Sequence, residues 1–407
     1  MKSKYTTGLL GLILAGSASA QGLYYTGDDA QESIPLKWVV GASLVYDDNV
    51  SPGVGTKEDS FGISPYVGLS FVNITPQTTV DVYARLGLVY YFDAPDYMDD
   101  VNSDSRLGFN LTHRFNERLR FSSRNFIAYE LEPDYSYGYA SSRQNGEYFY
   151  WQTDNSIGYR WSERLATYTG FKLTGSDYDG DVNDRFTWEL YNQFRYQLSP
   201  QTVLTFDYRY AETTDPNSDD FFDTTDQYIL IGAEQRFSPN TIGIIRGGLQ
   251  IHDVNDAGTN YSPYLELAVN SQVNQQFSVR GFARYGLENY DNVRFVPLGL
   301  AQFDERETLR LGVSTEYAVT PVFSIFSGVD YIPAQFNEGR LVSNGVTVPG
   351  AVGDFSEDVF NTYVGVSMKV TDYLTATAAY NFTYQDSDFP GQTYHRNRIS
   401  VGLSAEF

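Results

Sequence analysis

Eight short polar turns recur along this chain at intervals of roughly forty residues, each set between runs of alternating apolar and polar side chains. They read Ile74-Thr75-Pro76-Gln77, Phe115-Asn116-Glu117-Arg118, Trp161-Ser162-Glu163-Arg164, Leu198-Ser199-Pro200-Gln201, Phe237-Ser238-Pro239-Asn240, Val273-Asn274-Gln275-Gln276, Val319-Thr320-Pro321-Val322 and Val370-Thr371-Asp372-Tyr373. Between turns there is room for two strands and one longer loop. Long strands with short turns at one end and long loops at the other constrain the chain to an all-β fold, a transmembrane antiparallel up-and-down β-barrel. Its turns face the periplasm and its longer loops the outside. Eight tight turns separate nine strand pairs, which predicts about 18 strands. Pro65 falls inside the second strand, where it removes a ladder donor; if that segment is partly loop, the count becomes about 16. Pro263 lies near the start of the twelfth.

The third strand shows the pattern most cleanly. Val80, Val82, Ala84, Leu86, Leu88, Tyr90 and Phe92 alternate with Asp81, Tyr83, Arg85, Gly87, Val89 and Tyr91. One face suits lipid and the other water, because successive strand residues point to opposite sides. The eighth and fourteenth strands repeat it, around Glu189 and Arg195 and around Arg310 and Glu316. In the last strand Ile399, Val401, Leu403, Ala405 and Phe407 form the apolar face. A last strand with a terminal aromatic resembles the signal read by the barrel assembly machinery, an expected partner during biogenesis. Lipid and lipopolysaccharide are the expected surroundings.

Lys2 and Lys4 precede the apolar stretch Gly8–Ala15 and the small triplet Ala18-Ser19-Ala20, the plan of a secretory signal peptide over residues 1–20. The expected organisation continues with a short periplasmic N-terminal segment over 21–36 and a barrel over 37–407, in the outer membrane of a Gram-negative bacterium. No segment approaches the eighteen apolar residues of a membrane helix, and without cysteine there is no disulfide framework. A mean hydropathy of −0.36 suits a wall in which only alternate strand residues meet lipid. The 34 Tyr and 27 Phe suit aromatic girdles at both interfaces. Removing the two leader lysines leaves 26 basic against 51 acidic residues, a charge of −25. That speaks against nucleic acid as a partner, since phosphate binding needs a basic face.

With the charged face turned inward, the candidate pore-lining residues are Arg85, Arg106, Arg114, Arg124, Arg160, Arg195, Arg209, Arg236, Arg246, Arg280, Arg284 and Arg310, with Glu189, Glu234, Glu266 and Glu316. Adding Arg120, Lys172, Lys369, Arg398, Asp81, Glu130, Asp154, Asp207, Glu288, Asp330 and Glu406 gives a wall that leans positive inside a negative chain. The excess acid is then expected in loops and rims. Either the wall sets an ion preference, or its charges pair across neighbouring strands. The loop Leu131–Gly146 is rich in Tyr and Ser and is not obviously long enough to fold far inward. Two loops, Val293–Leu300 and Leu341–Val352, are unexpectedly apolar. They constrict the lumen, bind a partner outside, or extend strands beyond the membrane.

The loop run Asp177, Asp179 and Asp181 has the carboxylate density that suits Ca²⁺, although solvated acidic loops have the same composition. No other cofactor is expected. His113, His252 and His395 show no catalytic spacing, so no enzymatic activity is expected; His113 belongs on the apolar face near a turn.

The first strand, Trp38–Tyr46, runs straight into Asp47-Asp48-Asn49. A leading strand ending Tyr-Asp-Asp-Asn, followed by a barrel with Thr/Ser-Pro turns, resembles the β-barrel porin type 2 family, which includes outer-membrane proteins encoded beside exopolysaccharide genes. The resemblance implies a porin-like or polysaccharide-exporting barrel and transfers no functional residue. Three functions are therefore carried: a channel for passive diffusion of small hydrophilic solutes or ions, an exopolysaccharide secretion channel, and a structural or adhesive surface barrel. For the second, Tyr83, Tyr91, Tyr150, Tyr168 and Tyr191 offer a stacking surface for sugars. The oligomeric state is not legible.

Overall fold

In each of the eight turns the second residue closes the chain on itself with its own side chain. The Asn116 amide oxygen accepts the Arg118 and Leu119 N–H groups at 2.8 and 2.9 Å, and Asn274 does the same for Gln276 and Phe277. Ser162, Ser199, Ser238, Thr75, Thr320 and Thr371 each accept at least one backbone N–H two or three positions on. A short side-chain acceptor thus imitates a backbone turn, which is why Asn, Ser and Thr occupy this position.

The computed structural model describes residues 33–407 apart from 53–56, 96–97, 133–134, 136–146, 180–183, 216–222, 256–257, 290–291, 297–298, 344–345 and 390. The signal peptide expected over 1–20, and most of the segment 21–36, lie outside the described residues. The strands are β1 Ile34–Asp47, β2 Ser60–Ile74, β3 Thr78–Tyr91, β4 Val101–Arg114, β5 Leu119–Glu130, β6 Tyr148–Arg160, β7 Leu165–Tyr178, β8 Arg185–Ser199, β9 Thr202–Thr214, β10 Thr224–Ser238, β11 Thr241–Val254, β12 Gly258–Gln272, β13 Phe277–Leu287, β14 Val293–Val296, β15 Gly299–Thr320, β16 Phe323–Ser343, β17 Val346–Val352, β18 Phe355–Lys369, β19 Leu374–Ser387 and β20 Tyr394–Glu406. Ile34–Leu36 already belong to β1, so the first strand starts three residues before the expected boundary at 37.

Every strand pairs antiparallel with its neighbours, and β1 pairs with β20, from Val39 opposite Glu406 to Asp47 opposite Arg398. The sheet is therefore closed, which removes both edges and satisfies the backbone inside a bilayer. β13 pairs directly with β15, and β16 with β18, so β14 and β17 lie outside the ring. Twenty strands less these two leaves eighteen in the wall. The apolar segments around 293–300 and 341–352 are these additions. β15 and β16 run for 22 and 21 residues, and β14 and β17 fold back on their loop ends as hairpins.

Pro65 does sit within a wall strand, opposite Ala42 of β1. On its other side the β2–β3 pairing passes from Ile63–Tyr90 to Tyr66–Gly87, skipping the position where proline has no N–H to give. Pro333 does the same between β15 and β16, where pairing jumps from Thr308–Ala334 to Leu311–Tyr331. A closed barrel absorbs such gaps because the ladder on the other side of the strand stays whole.

The apolar side chains that a soluble protein would bury are exposed here. Leu44, Leu86, Ile231, Val313 and Val401 stand outward on five different strands. Phe115, Trp161, Phe237, Tyr373 and Phe407 ring the turn end, and Phe61, Phe92 and Tyr261 mark the loop end. An outward apolar band between aromatic girdles fits a bilayer and its headgroup zones. Buried apolar clusters occur instead inside the loop end: Phe126, Tyr148, Tyr150 and Tyr178; Phe303, Phe336 and Phe355; and Val50, Val89, Tyr91 and Leu131.

The Tyr46-Asp47-Asp48-Asn49 run forms a latch at the loop end of the β1–β20 seam. Asp47 accepts Arg396 Nε at 3.0 Å, Asp48 accepts the Asn397 amide groups at 2.6 and 2.7 Å, and Asn49 Nδ2 donates to the His395 carbonyl at 3.1 Å.

Candidate functional site

The inward face of the wall carries the candidate pore-lining residues. Alternation alone would put them there, and contacts that skip strands prove the direction, since a side chain can bypass a neighbouring strand only across the concave interior. Arg195 on β8 binds Glu234 on β10 through two guanidinium nitrogens. Arg209 on β9 reaches Glu266 on β12 at 3.1 and 3.2 Å. Arg246, fully buried, lies 3.4–3.5 Å from Asp207, Glu234 and Glu266. Glu288 gathers Arg284, Arg306 and Arg310, the last in a fork at 2.7 and 2.9 Å. Forked guanidinium–carboxylate pairs of this kind are directional as well as strong.

A second row follows the register. Arg124 faces Asp154, Asp154 faces Lys172, and Lys172 faces Glu189, an alternation of charge across β5, β6, β7 and β8. Arg85 and Arg106 are directly opposed. Each turns to an acid one step away: Arg85 to Asp104 at 2.8 Å and Arg106 to Glu130 at 2.7 Å. Arg280 and Glu316 sit diagonally on β13 and β15 near the turn end, with no ion pair within 4.0 Å among the described residues. Arg114, Arg160 and Arg236 are exposed at the turn ends of their strands.

Sequence reasoning missed several acids on this face. Asp47, Asp226, Asp304 and Glu357 are inward and buried, with Arg396, His252, Arg340 and Arg294 as their partners. Their signal was the same period-2 alternation, read only over the middle of each strand. With them, much of the apparent positive excess of the wall is taken up by pairing. His252 lies between the Asp226 carboxylate at 2.9 Å and the Asp304 carbonyl at 3.3 Å; both ring nitrogens face acceptors, as in a structural brace. His113 is outward near its turn, against Phe115 and the Thr78 hydroxyl.

Contrary to what its length suggests, the described residues of the loop after β5, Leu131, Glu132 and Tyr135, reach into the lumen. Its root residue Leu131 packs inward on Val50, Val89 and Tyr91. Glu132 then accepts Arg396 of β20 at 2.5 and 2.8 Å, and the Tyr135 carbonyl accepts Arg310 of β15 at 3.1 Å. With β14 outside the ring, β15 is the fourteenth wall strand and β5 the fifth; 14 − 5 = 9, half of eighteen. Tyr135 is therefore met by a side chain from the diametrically opposite wall. A second brace comes from the segment after β13, where Asn289 and Asn292 accept Arg185 of β8 at 3.2 and 2.9 Å. Beside this second brace lies a polar chamber of about 180 Å³, bounded by Asp154, Lys172, Glu189, Arg209, Tyr228 and Glu266.

The tyrosines proposed as a sugar-stacking surface are mostly committed to the wall. Tyr91 and Tyr150 are buried. Tyr83, Tyr168 and Tyr191 lie over Gly108, Gly158 and Gly170 of the adjoining strands; a Cβ at Gly158 would fall 2.3 Å from the Tyr168 ring. Of the candidate calcium ligands, Asp181 lies outside the described residues. Asp177 is exposed. Asp179 accepts the Glu147 N–H at 3.0 Å. Among the described residues no three acidic or histidine side chains gather as a metal site.

No protein-family model matches the chain, and no curated protein matches it. Solved structures do. OccAB4 of Acinetobacter baumannii is 11% identical, over 92% of this chain and 99% of that one, with a TM-score of 0.43. The outer-membrane protein OpdK of Pseudomonas aeruginosa is 10% identical over 91% and 99%, with a TM-score of 0.45. OccK2 (OpdF) of Pseudomonas aeruginosa, solved in complex with glucuronate, is 10% identical over 92% and 98%, also at 0.45. Likeness at this level gives no residue of this chain a role.

Proposed function

We propose that the protein is an outer-membrane channel for small hydrophilic solutes or ions, narrow and lined by fixed charges of both signs. The observation that carries this is the segment after β5, held at Glu132 by Arg396 of β20 and met at Tyr135 by Arg310 from the far wall. An eighteen-stranded ring is wide enough for an aqueous channel, and a strap across it reduces that width to a passage. A barrel serving only as a surface scaffold has no need of ion pairs that tie a loop across its interior. The paired stretch of the wall gives the passage no strong preference for either sign of charge, since its own charges are matched.

Single-channel conductance in a planar bilayer tests the reading. We expect small, stable steps from the native protein and larger, noisier ones from Glu132→Gln, which releases the strap from Arg396. A folded but silent barrel would reject it.

Secretion of exopolysaccharide, implied by the resemblance to the type 2 porin family, is the second reading. Three of its four quoted residues, Asp47, Asp48 and Asn49, are occupied in the seam latch and lend that role no site. What favours it is the exposed arginine at the turn end, where a polymer would enter from the periplasm. Deleting the gene should then abolish secreted polysaccharide; unchanged secretion rejects the exporter.

A further inference from the structure

Many arginines deep in the lumen are clamped by acids, but those exposed at the turn end of β4–β7 are not. Arg114, Arg118, Arg160 and Arg164 make no ion pair within 4.0 Å among the described residues. With Arg120 and Arg195 they line a cavity of about 550 Å³, whose only acidic lining residues are Glu117 and Glu163. Arg195 is engaged by Glu234. Leaving Arg120 aside as well, Arg114, Arg118, Arg160 and Arg164 face two carboxylates, a local surplus of two positive charges in a chain whose net charge is −23.

The framework of this cavity is rigid. Arg114 and Arg120 face each other across the β4–β5 ladder, and like charges directly opposed across a strand pair are destabilising. The Arg160 N–H donates to the Arg118 carbonyl at 2.8 Å and the Gln197 N–H to the Arg164 carbonyl at 2.8 Å, so the two arginine-bearing turns are joined to neighbouring strands. Arg160 Nε donates to the Ser162 carbonyl at 3.1 Å, which fixes its guanidinium plane. The cavity is on the lumen side, since Arg114, Arg120, Arg160 and Arg195 share the inward parity. Gln197 on β8 and the Tyr168 ring, laid over Gly158, complete its inward lining.

From this we infer that the turn-end vestibule is an oxyanion-binding cradle for a carboxylated saccharide, engaged from the periplasmic side. Guanidinium forks match carboxylate geometry, and the exposed Gln197 amide supplies a neutral hydrogen-bonding group for a sugar's hydroxyls. The cradle rests on the channel reading only in that it opens into the lumen. It serves whether the solute moves in or out.

The test is calorimetric binding to the full-length barrel in detergent, with trigalacturonate as anionic probe, maltotriose as neutral control and inorganic phosphate as the bare oxyanion. The native protein should bind trigalacturonate, more weakly as salt rises, and should not bind maltotriose. Arg118→Gln with Arg164→Gln, both on turns and outside any ion pair among the described residues, should weaken trigalacturonate roughly tenfold or more while the barrel keeps its heat-dependent gel shift. Equal binding by native and double variant overturns the cradle, and so does maltotriose binding as tightly as trigalacturonate. Phosphate binding as tightly as the trimer overturns the saccharide assignment. A silent barrel that still binds rejects the channel and keeps the cradle; a conducting barrel that does not bind rejects the cradle alone.

Discussion

At the residue scale, a turn position does more than its composition suggests. The second residue of each turn is Asn, Ser or Thr because its side chain must accept backbone N–H groups that the narrow turn leaves unpaired. Asn116 serves two amides at short distance, and Ser199 serves one at 3.2 Å. Asn116→Ala should therefore cost about 1–2 kcal/mol, and Ser199→Ala less than about 1 kcal/mol. Guanidinium unfolding of the protein in lipid vesicles measures both; equal losses would show that the turns are held by the strands alone. These positions were legible, since a short polar acceptor between two alternating runs marks a tight turn. The glycines under Tyr83, Tyr168 and Tyr191 were not. Nothing local distinguishes a glycine that receives a ring from one that merely permits a bend.

At the element scale, alternation placed the strands and told their two faces apart, because lipid admits only apolar side chains. It could not say where a loop goes. The loop after β5 turns inward because Leu131 packs beneath it on Val50, Val89 and Tyr91, from strands and loops far away in sequence. The apolar hairpins were legible only as alternatives, because a strand extended past the membrane and a loop folded inward share one composition. The seam latch carries its own prediction. Arg396 is buried and serves both Asp47 and Glu132. Arg396→Met would strand two carboxylates, at a cost of roughly 3–5 kcal/mol. The temperature at which the folded band converts on a gel should fall accordingly, and an unchanged conversion temperature would mean that the seam holds by backbone bonds alone.

At the scale of the whole molecule, charge is separated along the barrel axis. The loops are acid-rich and the turn-end vestibule carries its surplus of arginine, with a largely paired wall between them. A pore with opposite fixed charge at its two mouths conducts unequally in the two directions when salt is too dilute to screen them. Current through the open channel should therefore rectify at about 0.05 M KCl and become symmetric at about 1 M, where the Debye length is about 3 Å. Rectification that persists at high salt would point to the strap as a moving gate. Of this pattern, the sequence disclosed the acid in the loops; it expected acid at the rims and did not read the turn end as basic. It did not disclose how much of the wall would be neutralised, because that depends on Asp47, Asp226, Asp304 and Glu357, which a reading of the middle of each strand passes over.

The seam also sets the order of events in time. Asp47 and Arg396 are 349 positions apart, and β1 has no second partner until β20 exists. Until then the chain carries an unsatisfied edge and a row of greasy side chains on its outer face, the combination most prone to pairing with the wrong neighbour. Contacts this distant also form slowly, since closing so long a stretch of chain is entropically expensive. Closing the ring is thus both the last step and the protective one. The mature barrel hides a vulnerability that belongs to its youth.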